Sequence, residues 1–168
     1  QTLQTTKALE YLQEVLKIAP KRRDVRESYV NELENAGKYA EATEHCEVLC
    51  RQNPQDVGLL IRHGQLVLAS GEPKERRKRE EEAVKIWSKI AVIRPDDAGL
   101  ALRVAETCRD ALTLTDLAQL GIDDKSGSRE KVLASSLVKM AENYYREAVK
   151  RSSQNAQYHE YLGEFLFF

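Results

Sequence analysis

Apolar residues recur three and four positions apart along almost the whole chain, with polar residues filling the faces between them. That spacing predicts amphipathic helices rather than strands. One motif returns four times: a small residue, a bulky one four on, an apolar one three further, and a proline five beyond. It reads Ala8, Leu12, Val15, Pro20; then Ala42, Cys46, Leu49, Pro54; then Ala83, Trp87, Ile90, Pro95; then Ala141, Tyr145, Ala148, with Ser153 in place of proline. Alternating with these are apolar-periodic segments at 25–38, 57–71, 98–112 and 156–168, so eight helices are expected in all.

The breaks between segments have a local cause. Gly37 and Gly71 can take the left-handed conformation that ends a helix. Pro20, Pro54 and Pro95 cannot continue the helix before them, and polar residues such as Gln55-Asp56 and Asp96-Asp97 follow to cap the next. The small residues let paired helices approach, and bulky residues such as Tyr39 and Trp87 are expected to fill around them. One pair cannot bury its own apolar face, so neighbouring pairs must stack.

The motif copies are 34, 41 and 58 residues apart, which places insertions in the third and fourth units. This phase, together with His159-x2-Leu162-Gly163-x2-Leu166 and Leu60-x2-His63-Gly64-x2-Val67, resembles the tetratricopeptide repeat, a 34-residue helix–turn–helix unit. The copies at Arg26-x2-Tyr29-Val30-x2-Leu33 and Ala101-x2-Val104-Ala105-x2-Cys108 lack the glycine. The resemblance implies an all-α, right-handed superhelical solenoid of stacked antiparallel helix pairs. The expected divisions are a partial repeat at 1–20, repeats at 21–54, 55–95 (insertion 72–82) and 96–153 (insertion 113–136), and a partial repeat at 154–168. The chain is expected to be a fragment of a longer protein.

Such repeats bind peptides in a concave groove lined by the first helix of each pair. Carried onto this chain, the groove candidates are Glu27, Asn31, Arg62, Gln65, Arg103, Glu106 and Tyr161, with Asp24 and Leu68 beside them. A subset of the family clamps the carboxylate tails of chaperones with Lys, Asn and Arg. Asn31 and Arg103 match that clamp, but Glu27 stands where lysine is needed and Arg62 where asparagine is needed. Arg62 and Arg103 are expected to meet a locally acidic peptide, or else to pair with Glu27 or Glu106.

The insertions hold the other candidate chemistry. Residues 73–95 carry eight Lys/Arg against four Glu, whereas the whole chain has a net charge of -1. The run Lys74, Arg76, Arg77, Lys78 and Arg79 is read as two added turns at the start of the Trp87 helix. It is either a solvated charged face or a patch for nucleic acid or an acidic partner. The second insertion is expected to form an extended helical hairpin ending in one long helix capped by Ser128, with Asp116, Asp123 or Asp124 near Arg76, Arg77 and Arg79.

Composition narrows the classes that remain. At 42% apolar and 32% charged over 168 residues, the chain reads as ordered. No apolar run approaches the roughly 18–20 residues of a membrane span. Three cysteines are too few for a disulfide framework, which favours a reducing, cytoplasmic setting. Cys46 and Cys50 share a helix face but lack a second ligand pair at zinc spacing, so they read as core residues. His63 and His159 fall where a semi-buried, hydrogen-bonded imidazole is expected. No familiar catalytic or phosphate-loop signature is present. The expected role is therefore a non-catalytic protein-interaction module without cofactor, with a regulatory domain of a larger enzyme as the alternative. Self-association through the exposed C-terminal helix 156–168, with Leu162, Phe165 and Phe168 uncovered, is a further expectation.

Overall fold

The computed structural model describes residues 3–114 and 135–167. Every regular element among them is helical: α1 (Leu3–Ile18), α2 (Arg23–Asn35), α3 (Tyr39–Gln52), α4 (Val57–Ala69), a 3₁₀ turn (Pro73–Glu75), α5 (Arg76–Ile93), α6 (Ala98–Leu114), α7 (Ser136–Arg151) and α8 (Ala156–Phe167). The expectations for Ser128, Asp116, Asp123 and Asp124, and most of the hairpin at 113–136, lie outside the described residues.

The chain forms two compact units, Gln1–Glu72 and Pro73–Phe168. In the first, α2 packs between α1 and α3, and α3 packs on α4. Turns of three or four residues join these helices, so neighbours run antiparallel. In the second, α6 packs extensively on α7, α5 touches both, and α8 packs on α7.

The repeated motif forms the core of each unit. Ala42, Cys46 and Leu49 of α3 are sealed from solvent, as are Ala83, Trp87 and Ile90 of α5, and Ala141, Tyr145 and Ala148 of α7. On the facing first helices the same holds for Val30 and Leu33 of α2, and for Ala101, Val104, Ala105 and Cys108 of α6. Each small residue lets a neighbouring backbone come close, and the large one a turn later fills the space beside it. Tyr39 is less enclosed than the other bulky residues of the motif. As the first residue of α3 it stays 39% exposed, so it is covered less fully than Trp87.

Helix ends follow their sequence signals. Gly37 has φ +71°, and the chain closes α2 with bonds from Gly37 N to Glu34 O (2.9 Å) and Lys38 N to Leu33 O (2.8 Å). This paired pattern satisfies carbonyls the helix would otherwise leave open. Gly71 has φ +85°. Two residues past each proline, Asp56 Oδ1 accepts from Leu59 N (3.1 Å) and Asp97 Oδ1 from Leu100 N (3.0 Å). Asn155 does the same for α8, accepting from Gln157 N at 3.1 Å. The helix expected to run unbroken from Ser128 starts instead at Ser136, because Ser135 (ψ 140°) is extended and accepts from Leu137 N at 3.1 Å. A hydroxyl in that position competes for the first free amides and fixes the helix start there.

A buried polar group sits in the first unit. Arg26 of α2 is 8% exposed and donates through Nη2 to the Pro20 carbonyl (2.6 Å) and through Nη1 to His45 Nδ1 of α3 (2.9 Å). The His45 ring stands edge-on to Tyr29, with centroids 4.8 Å apart.

Candidate functional site

In the first unit, the exposed sides of α2 and α4 bring Asn31 and Arg62 together. Arg62 donates through Nη2 to Asn31 Oδ1 (2.5 Å) and to Glu34 Oε2, and through Nε to Glu34 Oε1 (3.3 Å). The carboxylate that pairs with Arg62 is therefore Glu34, a residue absent from the sequence-based candidates, and not Glu27 or Glu106. Its reach from α2 to α4 depends on how the two helices align, which spacing within either helix does not encode. Glu27 instead accepts from Arg23 Nε at 2.6 Å. Arg23 also bonds Asn53 Oδ1 (3.2 Å) and Asp56 Oδ2 (2.8 Å), so it ties the start of α2 to the start of α4. The hydrogen bond from Arg22 holds Asp24 at about 2, below the usual carboxylate range. Gln65 is exposed, but Leu68 is buried in the unit and does not line this face.

In the second unit, Arg103 on α6 is exposed, and its side chain has no polar or charged partner among the described residues. Glu106, one turn on, is half-buried. Burial pushes the Tyr145 phenol up to about 12, and the negative charges of Glu106 and Asp110 add to the rise. Tyr161 on α8 is half-buried and accepts from Gln157 Nε2 at 2.6 Å. His159 is exposed rather than semi-buried, with Nε2 3.0 Å from the Ser153 carbonyl. Phe165, expected to be uncovered, lies against Tyr145 with ring centroids 5.2 Å apart.

The basic run does not present one cationic face. Lys74, Arg77 and Lys78 are exposed, Arg76 is half-buried and Arg79 is buried. Arg76 Nε pairs with the buried Glu80 (Oε1, 3.1 Å), whose other oxygen accepts from Ser135 Oγ at the start of α7 (3.3 Å). Two of the five cations thus serve packing within the unit. Helical geometry turns residues three apart toward the same side, so a continuous charge run cannot stay wholly in solvent once the helix packs.

All three cysteines are free and buried, as expected for core residues. The Cys46 thiol is pushed well up by its hydrogen bond with Cys50 and by burial, and burial alone raises Cys108 to about 12. Among the described residues no group of three or more His, Cys, Asp or Glu could hold a metal ion, and no helix is long and apolar enough to cross a membrane.

No protein-family model matches the chain, and no curated protein matches it either. Solved structures do. A MamA RS-1 double mutant is similar at 16% identity, with a TM-score of 0.51 over 96% of this chain and 73% of that one. MamA from Desulfovibrio magneticus RS-1 is similar at 17% identity, with a TM-score of 0.50 over the same shares. A thermophilic TPR protein from Thermus thermophilus gives 16% identity and a TM-score of 0.45, covering 98% of this chain and 91% of that one. These likenesses are of fold. With the repeat phase written into the buried core, the two MamA likenesses make this an all-α chain of stacked helical repeats.

Proposed function

We propose that the chain is a non-catalytic protein-interaction module whose first-helix faces receive an extended or helical peptide with an acidic side. The observation that carries this reading is the state of Arg62. Asn31 and Glu34 fix its Nε and Nη2, and the side chain stays partly open to solvent on this face. An arginine already held in place loses little side-chain freedom on binding, so its hydrogen bonds translate more fully into affinity. Arg103 offers a second, uncommitted cation on the face of the other unit. Glu27, kept by Arg23 next to this surface, opposes a chaperone-type carboxylate clamp. Binding of nucleic acid through residues 74–79 is disfavoured, since Arg76 and Arg79 are drawn into the unit.

The test is selection of a random displayed peptide library on the protein, followed by binding of the enriched peptides to Arg62→Glu, Arg103→Glu and the double variant. Enrichment of Asp and Glu, with binding weakened by the variant of the unit that holds the peptide, supports the reading. Peptides without acidic bias, or binding indifferent to all three variants, would overturn it.

A further inference from the structure

The carboxylate of Glu34 grips the Arg62 guanidinium along one edge, with Oε1 accepting from Nε at 3.3 Å and Oε2 from Nη2. Asn31 Oδ1 accepts from the same Nη2 at 2.5 Å. This two-pronged geometry is the one that an aspartate or glutamate of a bound peptide takes on an arginine. An approaching acid therefore meets a cation whose charge is already matched.

The helix that carries Glu34 gains nothing electrostatic from it. Glu34 lies in the last turn of α2, which holds no basic residue and where the negative end of the helix dipole disfavours a carboxylate. What holds the charge there is Arg62, on a different helix. The pair is not locked, since 31% of the Glu34 side chain and 26% of the Arg62 side chain remain open to water. An ion pair with that much solvent contact adds little to stability and can be displaced. Once released, the Glu34 carboxylate turns into solvent and leaves no charge stranded in the interior. Asn31, a neutral acceptor, stays behind to hold Nη2.

Resting on the reading of this face as a peptide site, we infer that Glu34 is an intramolecular competitor, and that an acidic peptide binds by displacing its carboxylate from Arg62. Asn31 positions the arginine while Glu34 sets its charge. A ligand that cannot reach the Nε and Nη2 edge in the two-pronged pose exchanges a good partner for a poorer one and is rejected. The site is thereby set for an Asp or Glu side chain presented to that edge, and against single-point acceptors such as a backbone carbonyl.

Glu34→Gln tests this, because the amide keeps an acceptor for Arg62 and removes the competing charge. Peptides enriched on the whole protein, and weakened by Arg62→Glu, are titrated against the parent and the variant, each also with its Asp and Glu changed to Asn and Gln. The acidic peptides should bind Glu34→Gln about five- to tenfold more tightly at low salt, the scale of one like charge removed from a solvated surface. That gain should shrink at about 0.5 M salt, where exposed charges are screened, and the amide peptides should not share it. The variant should melt with the parent. Equal or weaker binding of the acidic peptides, or a gain that salt leaves intact or that the amide peptides share, would overturn the competitor role and leave the peptide site standing. If Arg62→Glu weakens no enriched peptide, the face of the first unit is not a peptide site, and the competitor role falls with it.

Discussion

Arg26 Nη1 lies 2.9 Å from His45 Nδ1, joining α2 to α3 inside the first unit. A guanidinium only donates, so Nδ1 must be the unprotonated nitrogen and the ring neutral, with its proton on Nε2. Burial, and then the Arg26 charge, lower the His45 pKa from its ordinary value near 6.5. The unfolded chain therefore takes up a proton before the folded chain does. Stability from this site is complete above about pH 6.5 and falls as pH drops from there through the folded value. Urea midpoints at a series of pH values from 8 to 5 should show this decline, and His45→Phe should flatten it. An equal slope in both proteins would refute the assignment.

The four motif copies make a graded test of packing. Adding a methylene-rich side chain to a sealed core costs about 1–3 kcal/mol. Ala42→Leu, Ala83→Leu and Ala141→Leu should each lower stability by that order in urea unfolding. Ala8→Leu should cost much less, since Ala8 is only half-buried. Trp87→Ala, which empties the largest sealed position, should cost about 3–5 kcal/mol.

Gly37 and Gly163 should respond to alanine with opposite signs. Nothing lies within 4 Å of a Cβ at either position, so backbone conformation alone decides. At φ +71° Gly37→Ala incurs the left-handed penalty of about 1–2 kcal/mol. Within α8, Gly163→Ala should gain about 0.5–1 kcal/mol of helix propensity. Thermal melts of the two variants on either side of the parent would confirm it.

Glu80 links α5 to the start of α7 by accepting from Arg76 and from Ser135. Glu80→Ala removes a buried acceptor from both and should cost about 1–3 kcal/mol. Hydrogen exchange should quicken at residues 136–140 more than at the far end of α7. Uniform change along α7 would argue that the link is not local.

Much of the fold was legible because it rests on residues that act within a turn or two. Ala42, Ala83 and Ala141 marked the buried phase, and Gly37, Asp56 and Asp97 marked the helix ends, each through chemistry confined to its own segment. Contacts that depend on how separate helices align were not legible. Glu34 meets Arg62 across 28 residues, Phe165 finds Tyr145, and Arg79 turns inward from what read as a solvated run. On the candidate face, the composition was readable but the pairing that sets its charge was not.

The carboxamide or carboxylate that opens α4, α6 and α8 sits in each case two residues past the break, and one of its oxygens accepts from an amide in the first turn of its own helix. Each unit of the array thus brings its own punctuation, independent of the length of text before it. The seven residues gained ahead of Ala83 leave Asp97 performing the task that Asp56 performs. Chain can be spliced upstream of such a mark without garbling the helices downstream, which is how an array of near-identical modules can accept additions of unequal size and still stay in frame.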